Sequence, residues 1–349
     1  MLRRLRLLRF RCHERLDWEP APGRNELRGA NGRGKTSILE AVHYLGRLRS
    51  FRTGQPRELA QFREGEPPGF AIEAEHEREG RVEKLAVRWE NGTRCWSIDG
   101  DETVPLADFW GRLPAVLCSA EDGVLLRGPA ARRQAWLDSL QSFAAPAHLP
   151  AVQRYNAVLR QRNAWLRQPG HPEVGAVLTA QILEAGERVV AGRRAAAETA
   201  ARLAEPLLEA FFGGKGTCAF RYRPNKEAPS DQERRLGRSL AGPHRDEWEI
   251  LWNGKPAGRF GSEGEQRLAA LLLRLIEAHH LKICREAWPL FLIDDALTPL
   301  DPARRLTWEM LLPPEAQVIQ AGTAAPGEAG LAGAAFWEVG PGRCAPARA

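Results

Sequence analysis

Eight residues, Gly29-Ala30-Asn31-Gly32-Arg33-Gly34-Lys35-Thr36, constrain this chain more than any other stretch. They fit G-x-x-x-x-G-K-[ST]. In that pattern the glycines turn successive backbone N–H groups into one concavity, the lysine brings a point charge to the outer phosphates of a nucleotide, and the hydroxyl meets Mg²⁺. The run KTSILEAVHYLGRL follows, with Ile38, Leu39, Val42 and Leu45 spaced on one face, so a helix is expected to begin at the loop and aim its N-terminus at the phosphates. The nucleotide contacts expected here are Gly29 through Thr36 with Ser37 beside them.

A phosphate loop needs a carboxylate at the end of a second strand to hold the metal. Leu290 to Ile293 form a short apolar run suited to a buried parallel strand, and it ends in Asp294-Asp295. Asp294 is expected on the Mg²⁺ side with Thr36, directly or through water. Asp295 is expected to face the attacking water as general base, with Lys35 as the second group of the hydrolytic site. Upstream, Ser262-Glu263-Gly264-Glu265-Gln266-Arg267 opens an amphipathic run in which Leu268, Leu271, Leu272, Leu275 and Ile276 share a face. Ser262 and Gly264 at that helix start read either as a second anion-binding N-terminus or as a capping box closed by Glu265. Asp301 is expected to cap a further helix beginning at Pro302. Gln61, in an irregular stretch rich in Arg, Gly and Pro, reads either as a group reaching Mg²⁺ and the water or as a solvated side chain.

The remaining chain divides around these motifs. Residues 1–28 are expected to hold two short strands leading to Leu27. Residues 69–105 are expected to form an antiparallel meander with turns at Asn91-Gly92 and Asp99-Gly100. From Trp110 onward the pattern turns helical, with Pro129 opening a helix whose first turn carries Arg132 and Arg133. Residues 213–241 read as a return linker. The expected division is 1–112 and 238–340 as two parts of a nucleotide-binding head, 113–237 as a mostly helical lobe, and 341–349 as a tail. No strict heptad persists long enough for a coiled-coil arm. His244-Arg245-Asp246 mimics a kinase catalytic loop in letters only, since the lysine strand and Asp-Phe-Gly are missing.

Composition narrows the partner class. An arginine every two or three residues in MLRRLRLLRFRCHERL breaks any signal-peptide core, and no apolar run approaches the roughly 20 residues that span a bilayer, so a cytoplasmic protein without a membrane role is expected. The six cysteines are scattered singly, which indicates neither a disulfide framework nor a zinc site. Only six of the 50 basic residues are lysine, and the net charge is +6. That balance permits a nucleic-acid partner, and genome composition or thermal adaptation would produce the same arginine excess.

The order of phosphate loop, helical insertion, Ser-x-Gly helix, strand ending Asp-Asp, then Leu300-Asp301 is similar to that of ABC-type ATPase heads. The fold expected is therefore α/β, an ABC-ATPase-type P-loop head with an antiparallel β-meander plus a mostly helical second lobe. In such heads the Ser-x-Gly helix serves the nucleotide of a second head, so Ser262, Gly264 and Gln266 are expected to act in trans in an ATP-dependent homodimer. The blocks GANGRGKTSILEAVHYLG, RSFR, RGPAARRQAWLDSL, RYNAVLRQRNAWL, GPHRDEWEI, SEGEQR and LFLIDDALTPLD are collinear, and through them the chain resembles the RecF family of bacterial DNA replication and repair proteins. The resemblance implies a cytoplasmic ATPase that uses ATP and Mg²⁺, dimerises on ATP, binds duplex and single-strand/duplex junction DNA, and works with RecR and RecO in loading RecA at gaps. The family's S-x-G-Q-Q-R reads SEGEQR here, placing Glu265 where a phosphate is expected. Its S-E-L-D reads Thr298-Pro299-Leu300-Asp301, and its F-S-P-E-D block reads Leu117-Cys118-Ser119-Ala120-Glu121-Asp122. Slow hydrolysis is expected from these departures. A nucleotide-gated DNA clamp with negligible turnover stays open beside this reading. A transporter subunit lacks its switch histidine, since VIQAGTAAP offers Thr323, and an SMC-type chromosome head lacks its coiled coils.

Overall fold

Leucine alternating with arginine over the first ten residues makes one strand face apolar: Leu2, Leu5, Leu7 and Phe10 are buried, and the arginines between them reach toward solvent. A computed structural model of the chain describes residues 1–168, 170–212, 217–225, 231–295, 302–322 and 333–347. In chain order the first elements are β1 (Leu2–Phe10), β2 (His13–Trp18), β3 (Arg24–Arg28), α1 (Lys35–Arg47), β4 (Gly69–Arg78), β5 (Arg81–Glu90), β6 (Thr93–Ile98), α2 (Leu106–Phe109) and β7 (Ala115–Ser119). Next come α3 (Gly123–Arg127), α4 (Ala130–Ala144), α5 (His148–Arg167), α6 (Pro172–Phe212), β8 (Cys218–Arg223), α7 (Asp231–Leu236), β9 (Glu247–Trp252), β10 (Lys255–Pro256), α8 (Ala257–Phe260) and α9 (Glu263–Arg285). The chain closes with β11 (Leu290–Asp294), α10 (Pro302–Leu311), β12 (Val318–Ala321), β13 (Ala335–Gly340) and β14 (Arg343–Pro346). Contacts divide it into two compact units, Met1–Ala120 with Arg285–Ala349, and Glu121–Cys284.

The first unit contains two sheets. One is antiparallel, in the order β2-β1-β4-β5-β6, and includes the expected meander with its Asn91-Gly92 turn. The other has the order β14-β13-β3-β12-β11-β7; all its strands run parallel except β14. Helix α1 packs against strands of both, and its Ile38, Leu39, Val42 and Leu45 join Phe10, Phe70, Leu117, Leu292 and Ile319 in one core. Phe70 meets Phe10 and Tyr44 edge-on at 5.4 and 5.7 Å and stacks on Trp89 at 6.0 Å. Parallel strands present their C-terminal ends together, and both the loop after β3 and the carboxylates after β11 emerge at that end.

In the second unit α4 and α6 pack against a three-stranded antiparallel sheet in the order β10-β9-β8, and α5 packs on both helices. Trp248 of β9 is stacked between Trp136 of α4 at 5.0 Å and Phe220 of β8 at 5.8 Å. Two arginine-centred networks tie helices to loops. Arg193 grips Asp138 with two bonds of 2.8 and 2.7 Å, donates to the Pro243 carbonyl at 2.6 Å, and reaches Asp246 at 3.3 Å. Asp246 also accepts from Tyr222 and from the Asn225 N–H. Arg162 donates to Ser239 at 2.7 Å and to Glu233 at 2.6 Å, and the Glu233 carboxylate takes the Leu240 and Ala241 N–H groups. Two of the sequence blocks quoted above, GPHRD and RQRNA, therefore supply buried internal contacts.

The structure differs from four expectations about organisation. Residues 115–119 are not the start of a helical lobe: AVLCS is strand β7, buried beside β11, and the unit boundary falls at 120/121. The other boundary falls at 284/285: Trp248 stacks on Trp136 and His280 of α9 meets the Leu140 carbonyl, both among the inserted residues. Residues 213–241 are more than a linker, since they contain β8 and α7. The presumed tail includes β14, which pairs with β13 in the register Val339↔Cys344. Thr298 to Asp301 and Thr323 lie outside the described residues.

Candidate nucleotide-binding site

The loop from Gly29 to Gly34 joins the C-terminal end of β3 to the first turn of α1. Gly34, the residue before the helix, has φ 98°, and a β-carbon there would lie 2.3 Å from His13 Nε2 and 2.7 Å from Cys12 Sγ. Only glycine meets both demands. Gly29 has φ 144°, and its missing β-carbon leaves room for the Val339 carbonyl. Asn31, Gly32 and Arg33 between them are exposed, Ala30 is exposed as well, and Ser37 is buried.

Lys35 is 7% exposed, and its ammonium donates to the carbonyls of Gly29 at 2.5 Å and Ala30 at 3.1 Å. It thus lies along the loop that it is expected to leave for a phosphate. Burial pushes its pKa down, and the charges of Asp295 and Asp294 oppose that shift. The Thr36 hydroxyl donates to Asp294 Oδ1 at 2.9 Å, which joins the start of α1 to the end of β11. Burial pushes the Asp294 carboxyl up, the Thr36 hydroxyl opposes this, and Asp295 adds to it. Asp295 is exposed and sits at φ 49°, a left-handed conformation that bulkier side chains avoid. Thr36 and Asp294 are two hard oxygen donors within one hydrogen bond of each other, a pair that suits Mg²⁺.

Gln61 pairs through its backbone with Arg9, its Oε1 is buried with no partner, and among the described residues no hydrogen bond joins it to Thr36 or Asp294. The motif reading missed Glu40, fully buried on α1. It takes Arg11 bidentately at 2.8 and 2.7 Å, the Ser50 hydroxyl at 2.5 Å, and Arg52 at 3.6 Å. The reading also missed His13. Its signal in sequence was a single histidine, and nothing in the spacing marked it. Gly342 N–H donates to its Nδ1 at 3.2 Å, so Nε2 carries the proton and donates to the Gly34 carbonyl, also at 3.2 Å. Burial pushes the imidazole pKa down, opposed by that carbonyl.

The Ser-x-Gly helix belongs to the second unit. Its start is a complete capping box: the Ser262 N–H and hydroxyl donate to Glu265 Oε2 at 2.7 and 2.8 Å, and Glu265 N–H donates to the Ser262 hydroxyl at 3.3 Å. Gly264 is half-buried beside it. Gln266 is buried and donates to the Gly261 carbonyl at 2.8 Å, with its Oε1 left unpartnered. Arg133 donates to the Gly128 carbonyl at 2.7 Å, whereas Arg132 is exposed.

No protein-family model matches the chain. It is 35% identical over 333 residues to a DNA replication and repair protein RecF of Synechococcus sp. (strain JA-3-3Ab), covering 87% of this chain and 86% of that one. A protein of the same description from Geobacter metallireducens is 33% identical over 304 residues, 80% of each. Among solved structures, the recombination mediator protein RecF-ATPrS in the RecFOR pathway superposes with a TM-score of 0.88 at 22% identity, covering all of this chain and 98% of that one. An SMC head bound to the C-terminal winged-helix domain of ScpA superposes at 0.57 with 15% identity over 99% and 96% of the two chains. These two structural likenesses speak to the fold.

Proposed function

This chain belongs to the RecF family of DNA replication and repair proteins, and from that premise and the site's geometry we propose that it is a slow, cytoplasmic ATPase whose ATP-bound dimer grips DNA during gap repair. The observation that carries the reading is the Thr36–Asp294 bond at 2.9 Å, with Lys35 lying in the same loop. ATP phosphates enter the concavity of Gly29 to Gly34, Lys35 leaves its two carbonyls for them, and Ser37 supports the turn. Mg²⁺, held by Thr36 and Asp294, supplies charge neutralisation when bound. Asp295 orients the attacking water, and Gln61 turns its orphaned Oε1 toward it. Ser262, Gly264 and Gln266 of one copy meet the nucleotide of the other. The DNA partner is duplex or single-strand/duplex junction DNA, and RecO, RecR and RecA are the protein partners of the same reading. Light scattering tests it: Mg-ATP should double the solution mass, and a mass that stays constant under saturating ATP counts against the trans roles.

The capping box makes a second outcome specific to this chain. Ser262 now gives its hydroxyl to a carboxylate that would also repel an incoming phosphate. Glu265→Gln preserves the box and removes the charge. The ATP concentration at half-maximal dimer should then fall about fivefold, the size of one charge at a helix N-terminus. An unchanged or higher midpoint would put the phosphate elsewhere.

DNA binding should also weaken steeply with salt. If three or more phosphates are neutralised, affinity should fall at least about tenfold between roughly 50 and 200 mM salt. A flat response in a titration with duplex DNA would remove DNA from the proposal.

A further inference from the structure

The phosphate loop is braced at both ends from outside itself. At its first glycine, the Val339 carbonyl of β13 occupies the space a β-carbon would need, 2.7 Å from that position. At its last glycine, the Gly34 carbonyl takes the Nε2 proton of His13, whose other nitrogen accepts from Gly342 in the turn between β13 and β14. His13 is fully buried, and its neighbours leave one tautomer available. The terminal hairpin therefore touches Gly29 directly and Gly34 through a single side chain.

These braces matter most once nucleotide is bound. At present Lys35 itself ties the loop by donating to the Gly29 and Ala30 carbonyls. When its ammonium turns to a phosphate, those two ties are lost while the loop N–H groups must hold their aim. A loop left to wander would lose affinity through the ordering of its backbone. We infer that His13 is a positioning residue for nucleotide binding, transmitting the rigidity of the β13–β14 hairpin to Gly34 after Lys35 has left the loop. The inference rests on the reading that Gly29 to Thr36 takes the ATP phosphates.

The test measures ATP affinity by calorimetry on the full chain with Mg²⁺, for His13→Gln, His13→Asn and His13→Phe, beside Lys35→Met. Glutamine places an N–H where Nε2 stands, whereas asparagine is too short to reach the Gly34 carbonyl and phenylalanine has no donor. Glutamine should retain ATP affinity within about threefold, and the other two should lose about tenfold, the size of one neutral hydrogen bond. If all three melt below the wild type yet bind ATP equally well, His13 only fills the core and the inference fails. If Lys35→Met also binds normally, the loop reading fails as well, so the two failures are distinguishable. Should the variants not fold, ¹⁵N spectra of wild-type imidazoles decide the matter: the His13 resonances should shift on saturation with Mg-ATP, and unmoved resonances would overturn the inference.

Discussion

Lys35→Met is expected to abolish ATP-driven pairing and to weaken ATP binding by about a hundredfold, the scale of losing charge-assisted hydrogen bonds to two phosphates. Methionine has nearly the length and flexibility of lysine, so the chain should still fold. What disappears is the ammonium that now lies between the Gly29 and Ala30 carbonyls. In a nucleotide complex this charge is expected to bridge the loop and the outer phosphates, and no other cationic side chain contacts those carbonyls among the described residues. Calorimetry gives the affinity, and light scattering across an ATP titration gives the pairing. A methionine protein that doubles in mass at wild-type ATP concentrations would show that the phosphates bind somewhere else.

The second large effect lies in the second unit. Arg193→Ala should destabilise the chain by about 3–5 kcal/mol, because it strips two buried carboxylates of their shared cation. Asp138 would keep His148 and Asp246 would keep Tyr222, but neither gains a full counter-charge. Thermal unfolding of the second unit should shift down by roughly 10 °C. The pH dependence identifies the cause. Burial pushes the Asp138 carboxyl up, yet hydrogen bonds from Arg193 and His148 outweigh burial and leave it below the usual carboxylate range. A depressed folded-state pKa stabilises above the unfolded value, about 3.9 for aspartate, and that contribution is lost as pH falls through the folded value. In the alanine variant the carboxylate is buried without its arginine, so protonation relieves it. The stability gap between wild type and variant should therefore narrow below about pH 4. A gap independent of pH would mean that lost packing, and not stranded charge, is responsible.

The features legible in sequence were those encoded over short spans. The phosphate loop and α1 are contiguous, the apolar run of β11 is bounded by Trp288-Pro289 on one side and its aspartates on the other, and the amphipathic stripe of α9 repeats over several turns. β7 was missed because five apolar or small residues between a proline and a charged turn look the same as the start of a buried helix. Only its pairing with β11 decides the matter, and that partner comes 175 residues later, as Leu290 lies opposite Ala115. The placement of α9 failed for a related reason. Its motif was read for a nucleotide site, while the helix is tied to α4, where His280 meets the Leu140 carbonyl at 2.8 Å. His13 carried no motif, since its two partners lie 21 and 329 positions away.

The position of β3 has a consequence for how the protein is made. The strand that launches the phosphate loop has only β12 and β13 as neighbours, and Leu2 at the start of the chain reaches Gln317 across 315 positions. The antiparallel meander closes through local turns and has its partners early, whereas the parallel sheet must wait for β11, β12 and β13. At roughly 5–20 residues per second, this leaves a nascent chain for many seconds with a complete meander, an emerging second unit and a phosphate loop lacking its sheet. Competence for ATP therefore waits for β12 and β13, so a chain lacking the β13–β14 hairpin should carry the loop in sequence without its shape.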